Sequence, residues 1–239
     1  GPQARLRRRR AEMGQQPLDV IIPAAGCGRR MRSPNPKSLI EVAGGRAIIT
    51  RQLDLLASVF PQARFTIVLG YQYESVVKRL PAGVRVVLNE THHDTNVARS
   101  IELGLLATPC ERAIIVYGDL VFNKATLTGL DLSRGSLAVV DTRGQMGPAE
   151  VGVTIVNGRV TAFEYGLTTK WAQIVYLERK DLVVFRRLLS SPVRRRHFGY
   201  EVLNDLIDEG AKISAVEPEG MRITDVDVVR DVETACSIC

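Results

Sequence analysis

The chain has 239 residues, 45% hydrophobic and 24% charged, with a formal charge of +6. That length and balance fit one large α/β domain with a sizeable core, and no stretch is long and apolar enough to span a membrane. Four scattered cysteines (Cys27, Cys110, Cys236, Cys239) argue against a disulfide framework and for a reducing, cytoplasmic home.

The charge is unevenly placed. Arg5 and Arg7 to Arg10, set against Glu12, put +4 before Pro17 and leave about +2 for the rest. A basic leader with no apolar stretch behind it is not a secretory signal, so residues 1–16 are expected to form a disordered basic arm and 17–239 a single domain. The arginine run lacks interleaved aromatics, zinc spacing and a recognition-helix pattern, so nucleic acid is not an expected partner.

The apolar run Leu18–Ile22 predicts a strand, and it feeds Pro23-Ala24-Ala25-Gly26-Cys27-Gly28-Arg29-Arg30-Met31 and then Pro36-Lys37. Glycines let backbone amides approach phosphate oxygens closely, while Arg29, Arg30 and Lys37 supply the charge that a triphosphate neutralises. The spacing matches neither a Walker loop nor a dinucleotide-binding Gly-x-Gly-x-x-Gly. A plain tight turn with solvated arginines is the competing reading.

Further strands are predicted at Phe65–Leu69, Val84–Leu88 and Ala113–Tyr117, with helices at Ala47–Ser58, Tyr73–Leu80 and Asn96–Ala107 between them. That alternation predicts a mostly parallel, Rossmann-like sheet flanked by helices, with ligands beyond the strand C-termini. The glycine loop, Asn89-Glu90 and Asp119 all follow predicted strands and so fall on one edge.

After about residue 135 the pattern becomes β-rich: Leu137–Asp141, Val151–Val156, Val160–Tyr165 and Ile174–Leu177, with Asn157-Gly158 as a hairpin turn. Helices near Lys180–Ser190 and Tyr200–Glu209, a strand at Ile213–Val216 and a helix from about Val228 complete the chain. This half is expected to supply an acceptor pocket and lid.

Carboxylates stand where a triphosphate would need a divalent cation. Asp119 ends a buried apolar strand, where an unpaired charge is costly, and Asp225-Val226-Asp227 puts two carboxylates on one side of extended backbone. Asp225 or Asp227 capping the last helix is the competing reading.

Together these segments resemble the GT-A-like nucleotidyltransferases that make nucleoside-diphosphate sugars and CDP-alcohols. The stretch from Gly70-Tyr71 through Asn89-Glu90 to Asn96-Val97-Ala98-Arg99-Ser100 is most similar to cytidylyltransferases acting on phosphocholine or alkylphosphonates. The resemblance implies a magnesium-dependent transfer of CMP from CTP to a small phosphate or phosphonate acceptor, with release of pyrophosphate. Ala24, Ala25, Gly26, Gly28 and Arg29 would hold the triphosphate, with Lys37 and Arg29 steadying the reacting phosphate and Asp119 and Asp227 holding Mg2+. Asn89, Glu90, Asn96 and Ser100 would meet base and ribose, though Asn96 as a helix cap and Ser100 as an inert helix residue remain open. A sugar-1-phosphate nucleotidylyltransferase using UTP, GTP or CTP and a non-catalytic nucleotide-binding protein are the alternatives, and a homodimer is left open.

For the acceptor, a quaternary ammonium would favour an aromatic cage drawn from Phe163, Tyr165, Trp171, Tyr176, Phe198 and Tyr200, with Tyr165, Trp171 and Tyr200 the chosen candidates. A phosphonate or sugar phosphate would instead use Lys124, Lys170 or Arg194 to Arg196. His92-His93 is expected to be solvent-facing loop.

Overall fold

The computed structural model describes residues 2–15, 17–31, 33–144 and 146–239, without the side chains of residues 9, 10, 12–15 and 29. Helix α1 (Pro2–Gln15) occupies the segment expected to be a disordered arm. Arg, Ala, Gln, Glu and Met are good helix formers, and the described side chains at 2–8 and 11 stand in solvent.

Strand β1 (Leu18–Ala24) leads through the short pair β2 (Glu41–Val42) and β3 (Arg46–Ala47) to α2 (Ile48–Val59). Then come β4 (Arg64–Leu69), α3 (Tyr73–Val77), β5 (Arg85–Leu88), α4 (Val97–Leu106), β6 (Arg112–Val116), β7 (Leu120–Phe122), α5 (Ala125–Thr128) and β8 (Leu137–Asp141). The remainder comprises β9 (Val151–Val156), β10 (Arg159–Tyr165), β11 (Thr169–Leu177), α6 (Arg179–Leu189), α7 (Gly199–Asp208), β12 (Ile213–Val216), β13 (Ile223–Asp225) and α8 (Val229–Ile238). Helix α3 stops short of Leu80, because the residue before Pro81 is pushed out of helical geometry.

Among the described residues the main sheet has nine strands in the order β5-β4-β1-β6-β11-β8-β12-β10-β9. From β5 to β6 all pairings are parallel; beyond β6 the sheet is mixed, with only β12 on β8 parallel. The class is the expected α/β Rossmann-like one, with the antiparallel pairings in the β-rich second half. Asn157 and Gly158 both take positive φ, 51° and 75°, which lets a two-residue turn close the β9–β10 hairpin.

This topology sets the site. β1, β4, β5 and β6 point the same way, so the chain leaves them at Ala25, Gly70, Asn89 and Tyr117 along one edge. Strand β11 runs oppositely beside β6, with Ile174 opposite Val116, and therefore enters from that same edge with Lys170 and Trp171. A small antiparallel ribbon then pairs Asp225 of β13 with Leu120 of β7.

Successive β1 side chains face opposite sides of the sheet. Val20 and Ile22 pack on one layer with α2, and Ile21 packs on the other with α4, α6 and α7. Asp19 is fully buried in this strand, and Arg64 (3.1 and 2.6 Å) and Thr108 (3.0 Å) donate to its carboxylate.

Helix α4 lies close on β1 because Gly104 faces it: a Cβ there would stand 2.7 Å from Ile21 Cγ2 and 3.0 Å from Val68 Cγ2. Gly104→Val should therefore lower stability by about 1–3 kcal/mol in urea unfolding, the usual cost of overpacking. An unchanged midpoint would mean that the helix has room to move away.

Candidate active site

Strand β1 ends in the glycine loop, and Gly28 takes a φ of 56° where the chain turns. A Cβ on Gly28 would lie 2.6 Å from Lys37 Cγ, so the missing side chain is what lets Lys37 cross the loop. Gly118 plays a similar part beside β1, since its Cβ would lie 2.6 Å from Ala24 Cβ.

Lys37 rises from a 3-10 turn begun by Pro36 and reaches two carboxylates at once. Its Nζ stands 3.6 Å from Asp119 Oδ2 and forms a short ion pair with Asp227 Oδ1. Arg30, largely exposed, pairs with the other Asp227 oxygen at 2.8 Å. Gln52, deeply buried on α2, fixes the turn that carries Asp119: its Nε2 donates to the carbonyls of Tyr117 (2.9 Å) and Leu120 (2.8 Å). From the ribbon, Val226 N–H donates to Asp119 O at 2.9 Å, which brings Asp227 alongside.

Capping of α8 falls to neither Asp225 nor Asp227. Asp231 Oδ2 accepts from Asp227 N (2.8 Å) and Val228 N (2.7 Å), so both earlier side chains stay turned to the site. Asp225 instead pairs with Lys170 at 2.8 Å.

Burial pushes Asp119 up to about 6, with Asp225 and Asp227 adding to the rise and Lys37 opposing it. Its Oδ1 is buried without a hydrogen-bond partner. Among the described residues no three or more His, Cys, Asp or Glu side chains are grouped to hold a metal. The donor set is thus two carboxylates, Asp119 and Asp227, one with an orphaned oxygen. That suits magnesium, which commonly takes one or two protein carboxylates and completes its shell with phosphate and water.

These groups border a cavity of about 330 Å³. Ala24, Ala25, Gly26, Gly28, Lys37, Asp119 and Asp227 form one side, Asn89, Asn96 and Ser100 another, and Tyr165, Trp171 and Tyr200 a third. Glu90 is the exception among the sequence candidates, because it is exposed and points away from the cavity wall. The side chain of Arg29 lies outside the described residues.

The second side is a self-bonded loop. Asn89 is buried; its Nδ2 donates to Thr95 Oγ1 (3.2 Å) and Ser100 Oγ (3.0 Å), and its Oδ1 accepts from Thr91 N–H and Oγ1–H. Its amide therefore orders the loop from 89 to 96. Asn96 caps α4 by accepting from Val97 N at 2.8 Å while still lining the cavity.

On the third side the aromatics gather as sequence alone could not arrange them. Tyr165 and Tyr200 meet edge to face at 5.4 Å, Phe198 stacks on Tyr200 at 5.9 Å, and Trp171 meets Tyr117 at 5.4 Å. Phe163 and Tyr176 are core residues away from the cavity, and Lys124 and Arg194 to Arg196, on the protein's outer face, do not line it either.

Sequence reasoning missed Tyr117, His92, Thr95 and Gln173, all on the cavity wall. Gln173 had a readable signal, a polar residue inside the apolar run of β11; it sits at a bulge with a φ of 59°. His92 is half-buried, its Nδ1 donating to Asn89 O at 3.2 Å, so the histidine pair is not wholly solvent-facing.

Residues 20–199 match the family model of the MobA-like NTP transferase domain. The bifunctional protein GlmU of Paraburkholderia xenovorans (strain LB400) is 32% identical over 170 residues, which are 69% of this chain and 34% of that protein. The chain thus spans about a third of the length of the curated relatives it matches. Among solved structures, the inositol-1-phosphate CTP transferase from T. maritima superposes with a TM-score of 0.76 at 18% identity, covering 92% of this chain and 95% of that one. CTP:phosphocholine cytidylyltransferase from Streptococcus pneumoniae (LicC) gives a TM-score of 0.76 at 19% identity, covering 93% and 99%. At these identities the likeness is one of fold.

The raised Asp119 has a definite sign in stability. Its ionised form is disfavoured in the fold, so without metal it subtracts stability above about pH 6 and ceases to do so as pH falls toward the ordinary carboxylate range near 3.8. In chelator at pH 7.5, Asp119→Asn should melt about 2–4 °C above the parent, about 1 kcal/mol at this size, and the gap should narrow below pH 6 and close only near pH 4. A parent that melts as high as the variant at pH 7.5 would overturn this account.

Proposed function

The chain belongs to the family of MobA-like NTP transferase domains, and from that premise we propose that it is a magnesium-dependent cytidylyltransferase. It moves CMP from CTP to a small phosphate or phosphonate acceptor and releases pyrophosphate. The observation that carries this reading is Lys37 held between Asp119 and Asp227 beside the glycine loop, an ion cluster poised for exchange with a triphosphate and its cation.

Asp119 and Asp227 would hold Mg2+, which when bound neutralises triphosphate oxygens and polarises the α-phosphorus. Lys37, released from its carboxylates, binds the α-phosphate and stabilises the charge that develops on it. Ala24 to Gly28 hold the remaining phosphates by backbone, assisted by Arg29 and Arg30. An acceptor oxygen then forms a new bond to the α-phosphorus as the bond to the bridging oxygen breaks, and that oxygen leaves on pyrophosphate. A phosphate monoester is already a nucleophile, so no general base and no covalent enzyme intermediate are needed; positioning and electrostatics do the catalysis.

The loop from Asn89 to Asn96 and the start of α4 receive the nucleoside. Ser100 accepts from Asn89 and keeps its hydroxyl proton to donate to a base carbonyl. Support for CTP comes from two relatives of like fold named as CTP-using transferases. The aromatic wall of Tyr165, Trp171, Phe198 and Tyr200 supports an acceptor with a cationic head, which attracts the faces of such rings.

Pyrophosphate release with Mg2+ tests the reading directly, with CTP, UTP, GTP and ATP crossed against phosphocholine, 2-aminoethylphosphonate, other alkylphosphonates and sugar 1-phosphates. The expected result is turnover with CTP and an amino-alcohol phosphate or aminophosphonate; a signal only with a sugar phosphate and UTP or GTP would overturn it, and nucleotide binding without turnover would leave a binding protein. Lys37→Ala should lower kcat about 10²–10³-fold while moving the KM for CTP far less, because its contact strengthens in the transition state. Tyr200→Ala should raise the acceptor KM about 3–30-fold, the range of one cation–π contact, and leave the KM for CTP in place.

A further inference from the structure

Three aspartates meet at this mouth, and the protein treats them unequally. Asp119 and Asp227 share Lys37, which lines the cavity beside them. Asp225 also lines the cavity, but its partner does not: Lys170 stands behind the wall, with its Nζ 2.8 Å from Asp225 Oδ1 and 3.2 Å from Glu150 Oε2. Side-chain exposure is 12% for Lys170 and 9% for Asp225, so the pair is nearly dry.

The two lysines therefore differ in what can displace them. A phosphate entering the cavity can draw Lys37 from its carboxylates. Lys170 does not line that cavity, and it is closely packed from the other side as well: a Cβ on Gly144, in the loop after β8, would stand 3.0 Å from Lys170 Cδ. Glu150, from the segment that enters β9, closes the remaining side. Asp225 is thus bound to a counterion set back from the cavity.

We propose that Lys170 is a positioning residue that withholds Asp225 from the divalent cation and so leaves the cation site with Asp119 and Asp227 as its protein carboxylates. The inference rests on the nucleotidyltransferase reading only in taking those two residues as the cation pair. Its physical basis is ligand count: each added carboxylate tightens a hard cation's binding, and a site that holds its cation too firmly before nucleotide arrives cannot share it with the phosphates. Removing Lys170 leaves Asp225 beside the cation pair with no counterion inside the protein.

The test uses Mn2+ as a probe of the oxygen site, titrated into the metal-free protein without nucleotide and followed by the paramagnetic signal of free Mn2+. Lys170→Met should bind Mn2+ at least about tenfold more tightly than the parent and turn over more slowly with Mg2+, while Lys170→Arg should stay within about threefold in both. Adding Asp225→Asn to Lys170→Met should return Mn2+ affinity to within about threefold of the parent, and Asp225→Asn alone, which decides the matter if Lys170→Met does not fold, should change it no more than that. Parental affinity in folded Lys170→Met would make Lys170 a structural bridge only, and a loss of about tenfold or more in Asp225→Asn would make Asp225 a ligand; either overturns the proposal. Mn2+ binding requires neither CTP nor acceptor, so failure of cytidylyl transfer in the parent would count against the functional reading and leave this result standing.

Discussion

The structure turns on holding Asp119, Asp225 and Asp227 together in a wall half withdrawn from water. Each such charge costs several kcal/mol to desolvate unless a partner compensates it. Lys37, Lys170 and Arg30 are those partners, and much of the surrounding architecture exists to deliver them. Gly28 lacks a side chain so that Lys37 can cross the glycine loop. Gln52 clamps the turn under Asp119, and the β7–β13 ribbon brings Asp227 to it.

The same edge explains how one cavity draws its walls from both halves of the chain. Parallel strands deliver the glycine loop, the Asn89–Asn96 loop and Asp119 from the first half of the chain, while antiparallel β11 brings Lys170 and Trp171 in from the second. One end is basic and rich in backbone amides, the other aromatic, and the carboxylates lie between them.

Much of this was legible. The glycine loop, Lys37, Asp119 and Asp227, singled out because phosphate and cation chemistry favour particular residue types near strand ends, line one cavity in the fold. Buried strands were found from continuous apolar runs, and the β9–β10 hairpin from Asn157-Gly158. Glu90 was not placed by its pattern, since its neighbour Asn89 is buried and orders the loop while Glu90 is exposed and off the cavity wall. The basic arm, read from its charge run, lies in α1 over Pro2–Gln15, where helix propensity is local.

By itself the sequence determined the α/β alternation, the glycine loop and the strand-end aspartates, because local periodicity and residue chemistry carry that information over a few neighbouring positions. Only the tertiary structure decided which aspartate faces which lysine, that four separated aromatics share one wall, and that Gln173, His92 and Thr95 belong to the cavity. Those relations join residues up to 190 positions apart, as Lys37 is from Asp227. They are fixed by sheet order and strand direction, which no short stretch of chain encodes.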